Sequence, residues 1–481
     1  MSTVVAGKSS SLGVADGDGS GLAASDDVSV SESPAAGVRN SSRLYYLDWI
    51  RVLALLLVFV WHLAGSLVPD GEAGIWAPLT SLPLLGIALF FVVSGAASMF
   101  SLERRTWGQF LRERVLRLGL PFLIGGALLV PLAVYLGLGD VLKANVYPDA
   151  QGSLWEFYGV WFSHFFENLS WQTNIFSFWG MWLWVLGFLF VYSVVGLPIL
   201  QWLRSASADR FVAFSARLAS HRGGVIVWVV PAVALAVVGE AVLIALNLQP
   251  LDPVVAGDFL YNGWEGLVRL FGIFLLGAML VRNREVLGFV RRDWPLGLLT
   301  MVAVLGLFIL IGSQPINMTV NRLVVQAGFT VAAWCFTLVV VAAGQRWLNR
   351  PGRLLAYSLG LIVAFYVLHA PVLAAVERVA FAWIGVDGSS EQAIWVLGLI
   401  VLVMSFVALI ALIELVVRPI PPLRKFLGVT KERVPGQYNH KVTDYDQGVV
   451  DQDESANLQK NSANRPPERE LVVSGENTTR I

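Results

Sequence analysis

Charged side chains are what this chain has least of. Asp, Glu, Lys and Arg make up 14% of its 481 residues, against about 25% in soluble proteins. The deficit falls between roughly residues 44 and 420 and argues against a water-soluble two-domain protein, which would show amphipathic periodicity there. Cysteine is nearly missing too. Cys335 stands alone, so no intrachain disulfide can form and the redox compartment goes unmarked. It reads as a small buried apolar residue. The formal net charge is zero, so bulk charge points to no nucleic-acid partner. The first 43 residues lack the apolar core of a cleavable signal peptide. The first apolar block is therefore expected to remain as a helix.

What the chain has instead is apolar blocks of the length that crosses ~30 Å of hydrocarbon. Hydrophobic residues are 56% of the total. The pattern predicts an all-α fold, a polytopic membrane helical bundle with about ten transmembrane helices. They are placed at 47–67, 79–100, 118–138, 178–200, 224–246, 265–282, 296–312, 324–343, 356–376 and 394–417. The aromatic stretch 154–170, broken by Glu156, His164 and Glu167, reads as an interfacial segment. Trp76, Trp171, Trp179, Trp264 and Trp395 fit aromatic belts at span ends. Residues 1–43 and 429–481 are polar and read as disordered cytoplasmic tails. The domain between them runs over 44–428.

Loop charge orients the bundle. The loops after the odd-numbered spans hold only Lys143, Arg322 and Arg378. The others are rich: Arg104, Arg105, Arg112, Arg114 and Arg117 in the first, then Arg204, Arg210, Arg217 and Arg222. Arg284, Arg291 and Arg292 follow, then Arg346, Arg350 and Arg353. By the positive-inside rule both termini are cytoplasmic.

Ionisable residues inside the spans each cost at least ~2.5 kcal/mol on insertion scales and need a reason. On the first span, Arg51 and His62 lie within about 20° of one face and ~16 Å apart along the axis. A cytoplasmic cation and a titratable imidazole thus share one helix face, and histidine is the usual general base near neutral pH. The plainer reading makes His62 an interhelical hydrogen-bonding group. Glu240, deep in the fifth span, or Asp48, ~21 Å below His62, could orient the imidazole. Asp48 is the more natural partner of arginines. Arg114 and Arg117 form an i, i+3 pair that would present two guanidinium forks to phosphate on one face. Their plainer reading is topogenic.

The run YLDWIRVLALLLVFVWH (46–62), FFVVSG (90–95) and FLRERVLRLGLPF (110–122) resembles the acyltransferase-3 family of membrane acyltransferases. LWVLGFLFVYSVV (183–195), RLFGIFLLGAML (269–280), AFYVLHAPVL (364–373) and RPIPPLRKFLG (418–428) extend the resemblance. It is nearer to the glucan succinyltransferase-like branch than to the branch with an attached hydrolase domain. The resemblance implies an O-acyltransferase that moves an acyl group from cytoplasmic acyl-CoA to a hydroxyl of a carbohydrate or lipid acceptor at the external face. It implies His62 as catalytic base and Arg114 and Arg117, with Arg51, as donor-binding residues. Asp48 and His369 fall in supporting positions. Many relatives carry histidine where Trp182 stands here, which removes one polar group. Neither a metal site nor a resident cofactor is expected, and the lipid bilayer of the plasma membrane is the implied surrounding. The rival reading is a proton-coupled transporter or exporter, since intramembrane Glu, Arg and His also mark carriers. Against it, the halves show no internal repeat and no paired broken helices.

Overall fold

The computed structural model describes residues 44–67, 73–136, 153–168, 179–246, 264–312, 317–384 and 391–431. All lie in one compact unit that begins at Leu44. The two tails expected to be disordered fall outside the described residues, apart from 429–431.

Every regular element among the described residues is helical. In chain order they are α1 (Tyr45–Leu67), α2 (Ala73–Arg104), α3 (Trp107–Arg114), α4 (Leu120–Leu136), α5 (Leu154–Asn168), α6 (Trp184–Val195), α7 (Leu197–Arg204) and α8 (Asp209–Ser220). Then come α9 (Val230–Ala245), α10 (Trp264–Arg282), α11 (Arg284–Gly312), α12 (Met318–Trp347), α13 (Arg353–Leu359), α14 (Ile362–Ile384), α15 (Glu391–Leu412) and α16 (Pro421–Phe426). A π-turn, Val115–Gly119, joins α3 to α4, and a second, Ile413–Val417, closes α15.

Among the described residues, eight helical stretches are long and apolar enough to cross a membrane. The number rises to nine if Met181–Val195 and Leu197–Arg204, bent by 54° at their junction, form one span. This is an all-α, membrane-spanning bundle, with eight or nine candidate spans where ten were expected. The segment expected at 296–312 is helical, as the end of α11. It is not among the eight.

Small residues set the closest packing. A Cβ added at Gly95 of α2 would meet the Phe274 carbonyl oxygen at 1.9 Å, and one at Gly277 of α10 would meet that of Val92 at 2.0 Å. The two helices therefore touch backbone to backbone through reciprocal glycines, as membrane helices do where no hydrophobic force draws them together. Around this pair, α9 rests on α10, α11 pairs with α12, and α14 lies between α4 and α15. Helix α1 is enclosed by α2, α12, α14 and α15. Outward-facing Leu299, Val302 and Leu307 of α11, and Leu399, Val403 and Val407 of α15, are exposed, which suits contact with lipid. The aromatic segment forms α5, outside the spans. Phe157 and Trp161 are buried, and the Tyr158 hydroxyl donates to the Leu128 carbonyl of α4.

One arginine counted for its topogenic charge does structural work. Arg292 donates to the carbonyls of Ala219 at 3.0 Å, Ser220 at 2.6 Å and His221 at 2.5 Å. It caps the end of α8, whose last carbonyls have no helical donors. Its neighbour Asp293, buried, accepts from the Gly223 amide at 3.0 Å.

Candidate active site

Helix α1 carries Asp48 and Arg51, both half-buried, near its first turn and His62 in its last third. His62 meets His369 of α14. Their ring centroids are 4.8 Å apart, and His369 Nε2 lies 3.4 Å from His62 Nδ1. His62 is half-buried, while His369 is buried.

The hydrogen bonds assign the tautomers. His62 Nδ1 is 2.9 Å from the Val58 carbonyl, and His369 Nδ1 is 2.7 Å from the Tyr366 carbonyl. A carbonyl only accepts, so each Nδ1 carries a proton. In the neutral rings each Nε2 then holds a lone pair. That of His369 is directed at His62 Nδ1–H, and that of His62 is left to act as a base. Apolar rings wall the pair. Trp61 stands 4.7 Å from His62 and Phe59 stands 6.3 Å from His369, both edge-on.

Glu240 is not the partner of this pair. Arg322 of α12 reaches one of its carboxylate oxygens at 2.5 Å, and the Gln326 amide donates to the other at 3.3 Å. Gln326 in turn accepts from Arg269 of α10, which lies 4.6 Å over the Phe329 ring. Glu240, Arg269 and Gln326 are buried. This chain of polar groups ties α9, α10 and α12 together. His62 thus contacts His369, whereas Glu240 is bonded to Arg322 and Gln326 of α12.

Arg114 and Arg117 turn to different neighbours. Arg114 Nη2 reaches the buried Ser98 hydroxyl at 3.3 Å and lies 4.7 Å over the buried Phe110 ring. Arg117, with its side chain 49% exposed, pairs with Glu113 at 2.9 Å, and Glu113 also pairs with Arg105. The expected common face assumed α-helical spacing. The π-turn that starts after Arg114, closed by a bond from the Leu120 amide to the Val115 carbonyl, widens the step between them.

A second strut adjoins His369. Pro371 lies inside α14 and has no N–H, so the Val367 carbonyl lacks its α-helical donor. The Trp182 indole N–H donates to that carbonyl at 3.2 Å. In return the Tyr366 hydroxyl donates to the Trp182 carbonyl. Residue-type reasoning missed Tyr366, Gln326, Ser98 and Glu113 as partners. For the strut, Pro371 two places after His369 was the available signal, because it announces a freed carbonyl four residues earlier.

Among the described residues, no group of three or more His, Cys, Asp or Glu is placed to hold a metal ion.

The candidate spans, with a histidine pair within them, define a multi-pass membrane protein. The family model described as acyltransferase domain matches residues 44–414. The chain belongs to that family of membrane acyltransferases, acyltransferase-3. No curated protein matches the chain, and no solved structure does.

Proposed function

We propose that this protein is an O-acyltransferase that takes an acyl group from cytoplasmic acyl-CoA and delivers it to a hydroxyl of a carbohydrate or lipid at the external face. The observation that carries this reading is the contact between His62 and His369, which leaves His62 Nε2 as a lone-pair atom on the helix that bears Arg51 at its other end. The glucan succinyltransferase-like branch is the nearest in sequence pattern, which favours a glycan acceptor.

In the proposed reaction the donor's phosphates meet Arg117, Arg114 and Arg51. The Arg117 side chain is 49% exposed and Glu113 keeps Arg105 as a second partner, so a phosphate can replace Glu113 at Arg117 without leaving that carboxylate unpaired. Arg114 is anchored by Ser98 and Phe110 and would meet phosphate from a fixed position. At the other end of α1, His62 Nε2 takes the proton of the acceptor hydroxyl. The oxygen attacks the thioester carbonyl, and the tetrahedral adduct expels the thiolate of coenzyme A. That thiolate takes the proton back from His62. While His62 is charged, the Val58 carbonyl and the His369 lone pair stabilise its Nδ1–H. Asp48 balances the arginines at the cytoplasmic end.

The topology that goes with this reading has ten spans, with 296–312 as the additional crossing, a domain over 44–428, both termini cytoplasmic and the plasma membrane as location. A reporter fused after residue 70 or 255 is expected outside, and one after 105 or 210 inside. Cytoplasmic readings at both 70 and 255 discard this topology. The chemistry is tested by supplying [1-¹⁴C]acetyl-CoA or [¹⁴C]succinyl-CoA to membranes that contain the full chain. Label should appear in glycan or lipid, and coenzyme A should be released. If neither donor is consumed and the membranes instead move solute with protons, the transporter reading replaces this one.

A further inference from the structure

We infer that Trp182 is a positioning residue, which holds His369 against His62 by completing the hydrogen bonding that Pro371 breaks. The inference rests on the acyl-transfer reading for its consequence, but its geometry stands apart from it.

A proline inside a helix deprives the carbonyl four residues earlier of its donor and bends the helix there. In α14 that carbonyl belongs to Val367, fully buried, two residues before His369. An unsatisfied carbonyl in an apolar interior is costly. Trp182 supplies the missing N–H from another segment of the bundle, at 3.2 Å. The Tyr366 hydroxyl closes the reciprocal bond to the Trp182 carbonyl. Two bonds therefore clamp the turn Met181–Leu183 onto α14 within one helical turn of His369. The Tyr366 carbonyl also receives His369 Nδ1–H. The residue that fixes the His369 tautomer is thus itself clamped.

The backbone bears a cost for this arrangement. Among the described residues, Met181 is the non-glycine residue with a positive φ, 37°. Strain of this kind persists where the surroundings over-determine it, and it clusters at functional sites. Here it lies next to the residue that carries the clamp. The Trp182 indole N–H is used by the Val367 carbonyl.

The test pairs Trp182→Phe with Pro371→Ala. Phenylalanine keeps a flat ring and removes the N–H. Alanine returns a backbone N–H that can serve Val367. Labelled acetyl-CoA and succinyl-CoA, with full-chain membranes as the acceptor source, supply the kinetic readout. Trp182→Phe should lower kcat by about 10- to 100-fold, the scale of an ångström's misplacement, with the donor KM unchanged. Adding Pro371→Ala should recover most of that loss. A readout free of activity is the rate of His369 carbethoxylation by diethyl pyrocarbonate, followed by mass spectrometry. It should be slow in the unaltered protein, faster in Trp182→Phe and slow again in the double variant. Tyr366→Phe, which removes only the reciprocal bond, should act in the same direction and serves if Trp182→Phe is not recovered folded. Unchanged His369 reactivity in the single variant, or no recovery in the double, overturns the inference. If the unaltered protein consumes neither donor, the acyl-transfer reading falls instead and the reactivity result is left standing.

Discussion

Two polar clusters lie inside the helices of this protein, and they are built in opposite ways. One is charged and bonded from helix to helix. Arg269, Gln326, Glu240 and Arg322 form a continuous chain across three helices. The other is the histidine pair, neutral when each ring carries its single proton on Nδ1. It is held by two backbone carbonyls and one 3.4 Å contact, with one ring half-buried. A network of direct side-chain bonds across three helices is suited to hold helices together. A base needs a lone pair kept available and a partner that orients without neutralising. Charge in the membrane is thus a poor guide to chemistry taken alone, because the more charged cluster is the one whose groups are bonded to one another across three helices.

The comparison breaks first at His62. His62→Ala should cut transfer by about 10²- to 10⁴-fold, the usual worth of a positioned acid–base group. Its protein level should be near normal, since an interhelical hydrogen bond is worth about 0.6 kcal/mol. His62→Gln keeps a hydrogen-bonding group but cannot act as a base, and should be equally inactive while donor binding survives. A well-expressed His62→Gln protein with full activity would move His62 into the strut class.

The opposite signature is expected of the charged cluster. Glu240→Ala leaves Arg322 and Gln326 with a buried deficit, and loss of one partner from a buried pair costs about 3–5 kcal/mol. Folded yield and thermal stability in detergent should fall. The fraction that folds should transfer acyl groups at close to the normal rate. The double change Glu240→Ala with Arg322→Ala should cost less than the two losses added together. Normal stability with abolished transfer in Glu240→Ala would reverse the assignment and return this carboxylate to the active site.

A smaller effect is expected from His369→Gln. The amide can still accept from His62 Nδ1–H, so orientation survives in part, and kcat should fall about tenfold by analogy with other lost orienting contacts. The donor KM should not change. A rise in donor KM without loss of kcat would place His369 along the donor's path.

The smallest effect concerns the arginines. Arg117→Ala should raise the donor KM several-fold and leave kcat intact. Arg114→Lys should act likewise even though the charge is kept, because the planar fork is lost. Glu113→Gln removes the competing carboxylate and should lower the donor KM, or leave it as it is. If both Arg114→Ala and Arg117→Ala leave the donor dependence unchanged, these arginines are topogenic only.

Much of the candidate site was legible in sequence order. His62 and Arg51 share a face because eleven residues are close to three helical turns, and α1 is a helix throughout. The pairing of Glu240 was not legible. Depth in the membrane put it level with His62, but depth says nothing about which helices are neighbours. Only the packing of α9 on α10 and α12 decides that Glu240 meets Arg322. Arg114 and Arg117 meet Ser98 and Glu113 respectively, with a local feature between them. A π-turn has no reliable signature in composition, and the sequence VLRLG reads as ordinary helix.

Hydropathy and loop charge by themselves determined that the chain is an all-α membrane bundle, because water-free hydrocarbon admits few other backbones. They also determined which ends of the helices carry arginine. Tertiary structure alone decided which intramembrane polar groups meet. Partners such as His62 and His369, 307 residues apart, are joined by helix order and by close approaches such as that of Gly95 to Gly277. Those depend on shape complementarity between surfaces distant in sequence, and no period or local spacing along the chain encodes them.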